Sequence, residues 1–231
     1  MSTWTQWLRN SLILTGALTK QCAGPLVVLF GATTAFTIWA EDAMQLASQT
    51  HEQRWDLQIG MGVTDLISGV VLILLLSRGL AEIRQLRPPL VTNPFAAPFL
   101  GSFIAEYLRM LAQILLYGML LILPGIYRCC QLIFVPYIAI FSKRYREGDL
   151  DAIRASERLS KGQMLRIFAA LSGTMALSAF FEFAPHLIDA LEGAVFRAIF
   201  YLLADLTSIW GYALLFLLFE SAIAETRLED L

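Results

Sequence analysis

The sequence predicts an all-α, polytopic transmembrane helical bundle of about six spans with interfacial amphipathic helices, and three observations carry that prediction. The 231 residues are 57% hydrophobic and 16% charged, with a mean hydropathy of +0.63. Soluble domains are roughly half apolar and a quarter charged, so this surface calls for a solvent other than water. The apolar residues are gathered into runs near the length, about 20 residues, that a bilayer requires. Lysines and arginines, finally, are sorted into alternate connections, the pattern that orients membrane proteins.

Taken in order, residues 3–14 put Trp4, Trp7 and Leu8 on one helical face beside Arg9 and Asn10. That is either a short helix lying in the interface or an extension of the first span. Lys20 and Gln21 before Cys22 fit neither a small-residue cleavage site nor a lipidated cysteine, so the first apolar run is read as a span. Span one covers 25–40, with Pro25 tolerated in a first turn and Trp39 at the water boundary. The following loop is acidic, with Glu41, Asp42, Glu52 and Asp56 against Arg54. Span two, 57–76, leads to a basic loop of Arg78, Arg84 and Arg87 and a series of prolines, Pro88, Pro89, Pro94 and Pro98, that excludes continuous helix.

Spans three and four, 99–123 and 126–141, are expected to form a tight antiparallel hairpin joined by Pro124-Gly125. The most charged segment comes next. Lys143, Arg144, Arg146, Arg154, Arg158 and Lys161 stand against Glu147, Asp149, Asp151 and Glu157, while Leu150, Ile153 and Leu159 recur at amphipathic spacing. Residues 145–161 therefore read as a helix lying on anionic headgroups, or as a solvated linker helix. Spans five and six cover 164–183 and 195–219, separated by a short loop with Pro185, His186, Asp189 and Glu192. With six spans the cationic segments and Arg227 fall on one side, which predicts that both termini are cytoplasmic.

Composition also excludes functions. The net charge of −2 carries no basic domain for nucleic acid. Cys22, Cys129 and Cys130 make no disulfide framework, and His51 and His186 have no cysteine neighbours for a zinc site. Adjacent cysteines on a helix point about 100° apart, so Cys129 and Cys130 are read as small apolar packers. No nucleophile elbow, zinc-protease, phosphate-loop or dinucleotide motif occurs, so neither an enzyme nor a cofactor is expected. Two small-residue stripes, Gly60-Thr64-Ser68 and Gly31-Ala35, are expected at helix contacts.

Charges inside spans are the strongest pointers, because each costs at least about 2.5 kcal/mol in hydrocarbon and must face protein or water. Counting along the helices puts Asp65 about 12 Å and Asp205 about 10–15 Å from the outer ends of their spans, with Arg128 near the outer hairpin. The expected site is an intramembrane cluster of Arg128 with Asp65 or Asp205, either lining a polar cavity or only fixing helix register. Glu106 and Arg109, three residues apart, are expected to satisfy each other.

The stretch Leu123-Pro124-Gly125-Ile126-Tyr127, then Pro136, then Ala152, Ser156, Leu159, Ser160, Lys161 and Gly162 before an apolar run, resembles the YciC-like bacterial inner-membrane proteins. It is similar, too, to the membrane domain attached to some glycerophosphodiester phosphodiesterases. The resemblance implies six spans and a bacterial inner membrane, and implies no activity. Its pattern has an arginine where this sequence has Gln131, with Arg128 three residues earlier. Three functions follow as expectations. The first is an envelope-organising or accessory protein that holds anionic phospholipids, a membrane-protein partner or a second copy of itself. The others are a small transporter or channel built on Asp65, Arg128 and Asp205, and an accessory to lipid or glycerophosphodiester metabolism.

Overall fold

The structure, a computed structural model, describes residues 4–49, 54–84, 97–187 and 193–226. Sequence features at Thr3, His51, Glu52, Arg87, Pro88, Pro89, Pro94, Asp189, Glu192 and Arg227 lie outside the described residues. The described residues form helices and no strand, and six stretches are long and apolar enough to cross a membrane. Large apolar side chains such as Val27, Val28, Ile59 and Leu165 point outward on these helices. The chain is thus an all-α, multi-pass membrane protein.

Helix α1 runs Trp4–Gln21, past the expected end at residue 14. Its buried stripe is Ser11, Leu14 and Leu18 with Trp7 packed beside it, whereas Leu8, assigned to that face from the sequence, is exposed. Backbone hydrogen bonds continue across Cys22 into α2, Ala23–Gln49. The break falls there because Pro25 has no N–H to give to the Gln21 carbonyl. Helix α2 runs beyond residue 40, since Glu41-Asp42-Ala43-Met44-Gln45-Leu46 contains no breaker. Glu41 and Asp42 are therefore helical, not loop, residues. Helix α3, Trp55–Ile83, likewise continues past residue 76. Gly79 lets it meet α1, because a Cβ there would stand 2.6 Å from Cys22 Sγ.

Helix α4 is Ala97–Leu120, with Pro98 in its first turn. The connection to α5, Ile122–Leu132, is the single extended residue Leu121 and not Pro124-Gly125. Pro124 sits in the first turn of α5, where a missing N–H has no consequence. Gly125 serves packing, since a Cβ on it would lie 2.6 Å from Gly118 Cα. The expected span 126–141 is two helices, α5 and α6, Val135–Phe141, because Pro136 interrupts the hydrogen-bond ladder. Ser156 stitches that break, accepting from the Phe134 N–H at 3.2 Å and donating to the Gln131 carbonyl at 2.7 Å.

The expected helix 145–161 is also two pieces, α7, Lys143–Arg146, and α8, Ala152–Ser160. Gly148 at φ 83° turns the chain between them. Ser142 caps α7 and Asp151 caps α8. Helix α8 spends its apolar stripe, Ala152, Ile153, Ala155 and Leu159, in the protein core with residues of α5, α6 and α10 rather than on lipid. Gly162, at φ 88°, redirects the chain into α9, Met164–Leu187. The last helix, α10, is Ala194–Thr226.

An aromatic cluster of Phe134, Tyr137, Phe216 and Phe219 ties α6 to the C-terminal half of α10, with Tyr137 donating to the Tyr212 carbonyl at 3.0 Å. Trp210 reaches back to Ser11 at 2.9 Å and anchors α1. Of the small-residue stripes, Gly60 faces Phe36, but Gly31 stands in open space.

Candidate functional site

Helices α2, α3, α9 and α10 enclose a cavity of about 320 Å³ at the end where Trp39 and Trp55 stand. Four carboxylates line it, Glu41, Asp65, Glu182 and Asp205, one from each helix. Among the described residues no basic side chain lines it. Asp65 and Asp205 both line this cavity, and Asp65 and Glu182 are near enough to act electrostatically on Asp205. Neither Asp65 nor Asp205 has a cationic side-chain partner among the described residues.

Hydroxyls complete the wall. Thr33 and Ser68 spend theirs on nearby backbone carbonyls. Thr34 does not: its residue is 8% exposed, and its buried Oγ1 has no hydrogen-bond partner among the described residues. A buried hydroxyl left unpaired costs roughly 1–3 kcal/mol, so its position marks where a polar guest would sit. At the rim, Arg197 bridges Glu41 at 3.3 Å and Asp42 at 2.7 Å, and Tyr201 donates to Glu41 at 2.5 Å. Arg197 offsets one of the two rim charges, and among the described residues it makes no ion pair with Asp65, Glu182 or Asp205.

Arg128 is not in this cavity, which corrects the three-residue cluster expected from the sequence. Its guanidinium, with the side chain 15% exposed, bonds Glu157 of α8, Gln113 of α4 and Gln131, and lies 5.5 Å from the centre of the Tyr117 ring. The physical reason is local. Helix α5 packs beside α8, and Glu157 is the carboxylate that packing presents. Glu106 and Arg109 do pair, at 3.5 Å, and Arg109 also reaches Asp151 at 3.4 Å.

The cations of α7 and α8 form the opposite end of the molecule. Arg144, Arg154 and Arg158 surround a shallow cleft with Asp149 and Asp151. Lys143 pairs with Glu147 at 3.5 Å, and Lys161 is exposed. Burial pulls the Arg146 guanidinium below its usual range, against the opposing pull of Glu147. Burial would raise the Asp151 carboxyl. Hydrogen bonds from the Arg154 and Ile153 N–H groups, with Arg109 beside it, prevail and hold it below the usual range.

The residues Pro124, Gly125, Pro136, Ser156 and Gly162 all have backbone or packing work: helix start, close approach, helix break, break repair and left-handed turn. Sequence reasoning missed Glu182, which lies inside the fifth apolar run and carried the same signal as Asp65. It also missed Glu41, counted as loop, and Arg197. The pairing of Arg128 with Glu157 had no signal in the sequence.

Fold and site together define a multi-pass helical membrane protein with an acidic cavity at one end and a basic helical platform at the other. No protein family, curated protein or solved structure matches the chain.

Proposed function

We propose that this is a bacterial inner-membrane protein of the YciC-like kind, with both termini cytoplasmic, whose acidic cavity binds a small organic cation as part of transport, without catalysing a reaction. One observation carries the reading: three carboxylates with no basic partner among the described residues, Asp65, Glu182 and Asp205, share a cavity with the buried hydroxyl of Thr34, which makes no hydrogen bond to the described residues. Charges in such a place must be protonated or neutralised by a guest. Among the described residues no three acidic, histidine or cysteine side chains are grouped to hold a metal ion. A cavity of about 320 Å³ suits an ammonium compound better, with N–H groups meeting carboxylates and a hydroxyl.

The purified protein is tested with ethanolammonium, putrescine and choline. At least one of them should raise its thermal stability in detergent, and Asp205→Asn should remove that shift while keeping the helical content. Proteoliposomes should then take up the same cation. No shift with any of the three, or one that survives Asp65→Asn combined with Asp205→Asn, sinks the reading.

A second reading, that the protein organises anionic phospholipids, is favoured by Arg154 and Arg158, which stand one turn apart on the exposed side of α8. Neutralising Arg154, Arg158 and Lys161 should then release phosphatidylglycerol, and retention of that lipid argues against it. An accessory role in glycerophosphodiester metabolism rests on the sequence resemblance alone.

A further inference from the structure

The α4–α5 hairpin has a tip that no polar residue marks. Met119, Leu120, Leu121, Ile122 and Leu123 are 67–86% exposed. At the acidic end, by contrast, α2 and α3 carry Trp39, Glu41, Asp42, Trp55 and Asp56, the aromatic and charged residues that mark a water boundary.

Both limbs of the hairpin are pinned by ion pairs at the basic end, Arg109 to Asp151 and Arg128 to Glu157. From those rungs to Leu121 is about 18 Å along α4 and about 10 Å along α5, at 1.5 Å per residue. Hydrocarbon is about 30 Å thick, so neither limb has the length to cross from there. The neighbours agree. The groove beside the hairpin pairs Ile122 and Ile126 with Phe168 and Met175, which lie on the first half of α9. Rings of α6 pack against α10 in the half nearest the basic end, Tyr137 stacked on Phe219 and Phe141 tilted against Phe216. Contacts at the acidic end, such as Arg197 to Glu41 and Phe181 to Phe200, join α2, α9 and α10.

A turn inside hydrocarbon is tolerated where its backbone groups pair within the protein, and at Leu121 both do. Leu121 alone is extended, its N–H donates to the Tyr117 carbonyl at 3.1 Å, and its carbonyl accepts from the Gly125 N–H at 3.2 Å. The contact of Gly125 with Gly118 holds the limbs together.

We propose that the α4–α5 hairpin is a one-leaflet wedge that enters from the basic face, turns among the acyl chains of that leaflet and returns to the same face, leaving α2, α3, α9 and α10 as the crossing helices. Its partner is lipid. The exposed tip and the apolar groove of about 540 Å³ between hairpin and α9 are covered by acyl chains. Four crossings and six leave the termini on the same side, so terminal tags do not bear on this. The inference is independent of what the acidic cavity binds.

Single cysteines report it, in a background with Cys22, Cys129 and Cys130 replaced by alanine. A membrane-impermeant maleimide should label Trp55→Cys from one side of sealed vesicles and Lys143→Cys from the other. Leu121→Cys and Met119→Cys should react from neither side until detergent is added. Labelling of either tip cysteine from the Trp55 side means that the hairpin crosses, and labelling from the Lys143 side means that the tip is in water; each result overturns the proposal. If the background folds poorly, Leu121→Lys in the native chain gives a second reading. A tip in hydrocarbon should cut folded yield by about tenfold or more, whereas an unchanged yield overturns the proposal.

Discussion

Gly118 and Gly125 meet backbone to backbone, yet they are not equivalent. A Cβ on Gly125 has nowhere to go, while one on Gly118 meets nothing within 4 Å. Gly125→Ala is expected to lower stability in detergent by about 1–3 kcal/mol through overpacking. Gly118→Ala should be neutral or stabilising, because alanine favours the helix by about 1 kcal/mol. Equal thermal shifts for the two would contradict this account. Ser156 makes a comparable argument: its hydroxyl serves two backbone groups freed at the α5–α6 break, so Ser156→Ala should cost about 1–3 kcal/mol, read as a lower unfolding midpoint. For Arg128, a double-mutant cycle with Glu157→Gln should give a coupling well above 0.5 kcal/mol, roughly the limit within which distant pairs add. The same cycle with Asp205→Asn should be additive. Gly125 and Ser156 were legible as motif positions, but their work was not. Spacing gives no sign that a serine 22 residues on will accept from the Phe134 N–H.

Among the elements, α8 is the clearest case of a correct pattern with an unexpected destination. Its amphipathic spacing was visible, but periodicity alone does not say whether the apolar stripe meets lipid or protein. Here Ile153 and Leu159 are buried in the core. Its N-terminus depends on Asp151, whose carboxylate accepts from Ile153 and faces Arg109. The folded-state pKa of Asp151 lies below its unfolded value, so its contribution is fully present above the unfolded pKa. It is lost as pH falls through the folded value, in the range below about 4. Thermal unfolding of the wild type should therefore drop below that pH. Asp151→Asn should be less stable at neutral pH and lose less on acidification, and parallel curves would refute the cap's role. Helices α2, α3 and α10 ran longer than the apolar runs suggested, because charged but helix-favouring residues extend a helix past the hydrocarbon.

The whole molecule is polarised. The cations of α7 and α8 with Arg84 and Arg166 gather at one end, where acids pair with them, as Glu220 does with Arg84 at 2.7 Å and Glu225 with Arg166, while the carboxylates of the cavity with Arg54 and Arg197 mark the other. Under the positive-inside rule, reporter fusions at the two termini should both signal the cytoplasm; two periplasmic signals would invert the orientation, and one of each would mean an odd number of crossings. At this scale the acidic cavity needs all four long helices at once. A depth count put Asp65 and Asp205 at similar height, and both line this cavity. The same count grouped Arg128 with them, whereas Arg128 meets Glu157 of α8 and Gln113 of α4.

What the sequence by itself determined was the solvent, the helical class, the approximate position of each apolar run and the separation of charge between the ends. These follow from composition and order along one chain, which local physics converts directly into burial and helix. Tertiary structure alone decided which faces meet: Glu157 with Arg128, Ser156 with the broken ladder at Phe134, and Thr34 with no hydrogen-bond partner among the described residues. Rotation and depth of one helix against another depend on close contacts such as Gly118 with Gly125, and a contact of that kind is a property of two segments together, absent from either one read alone.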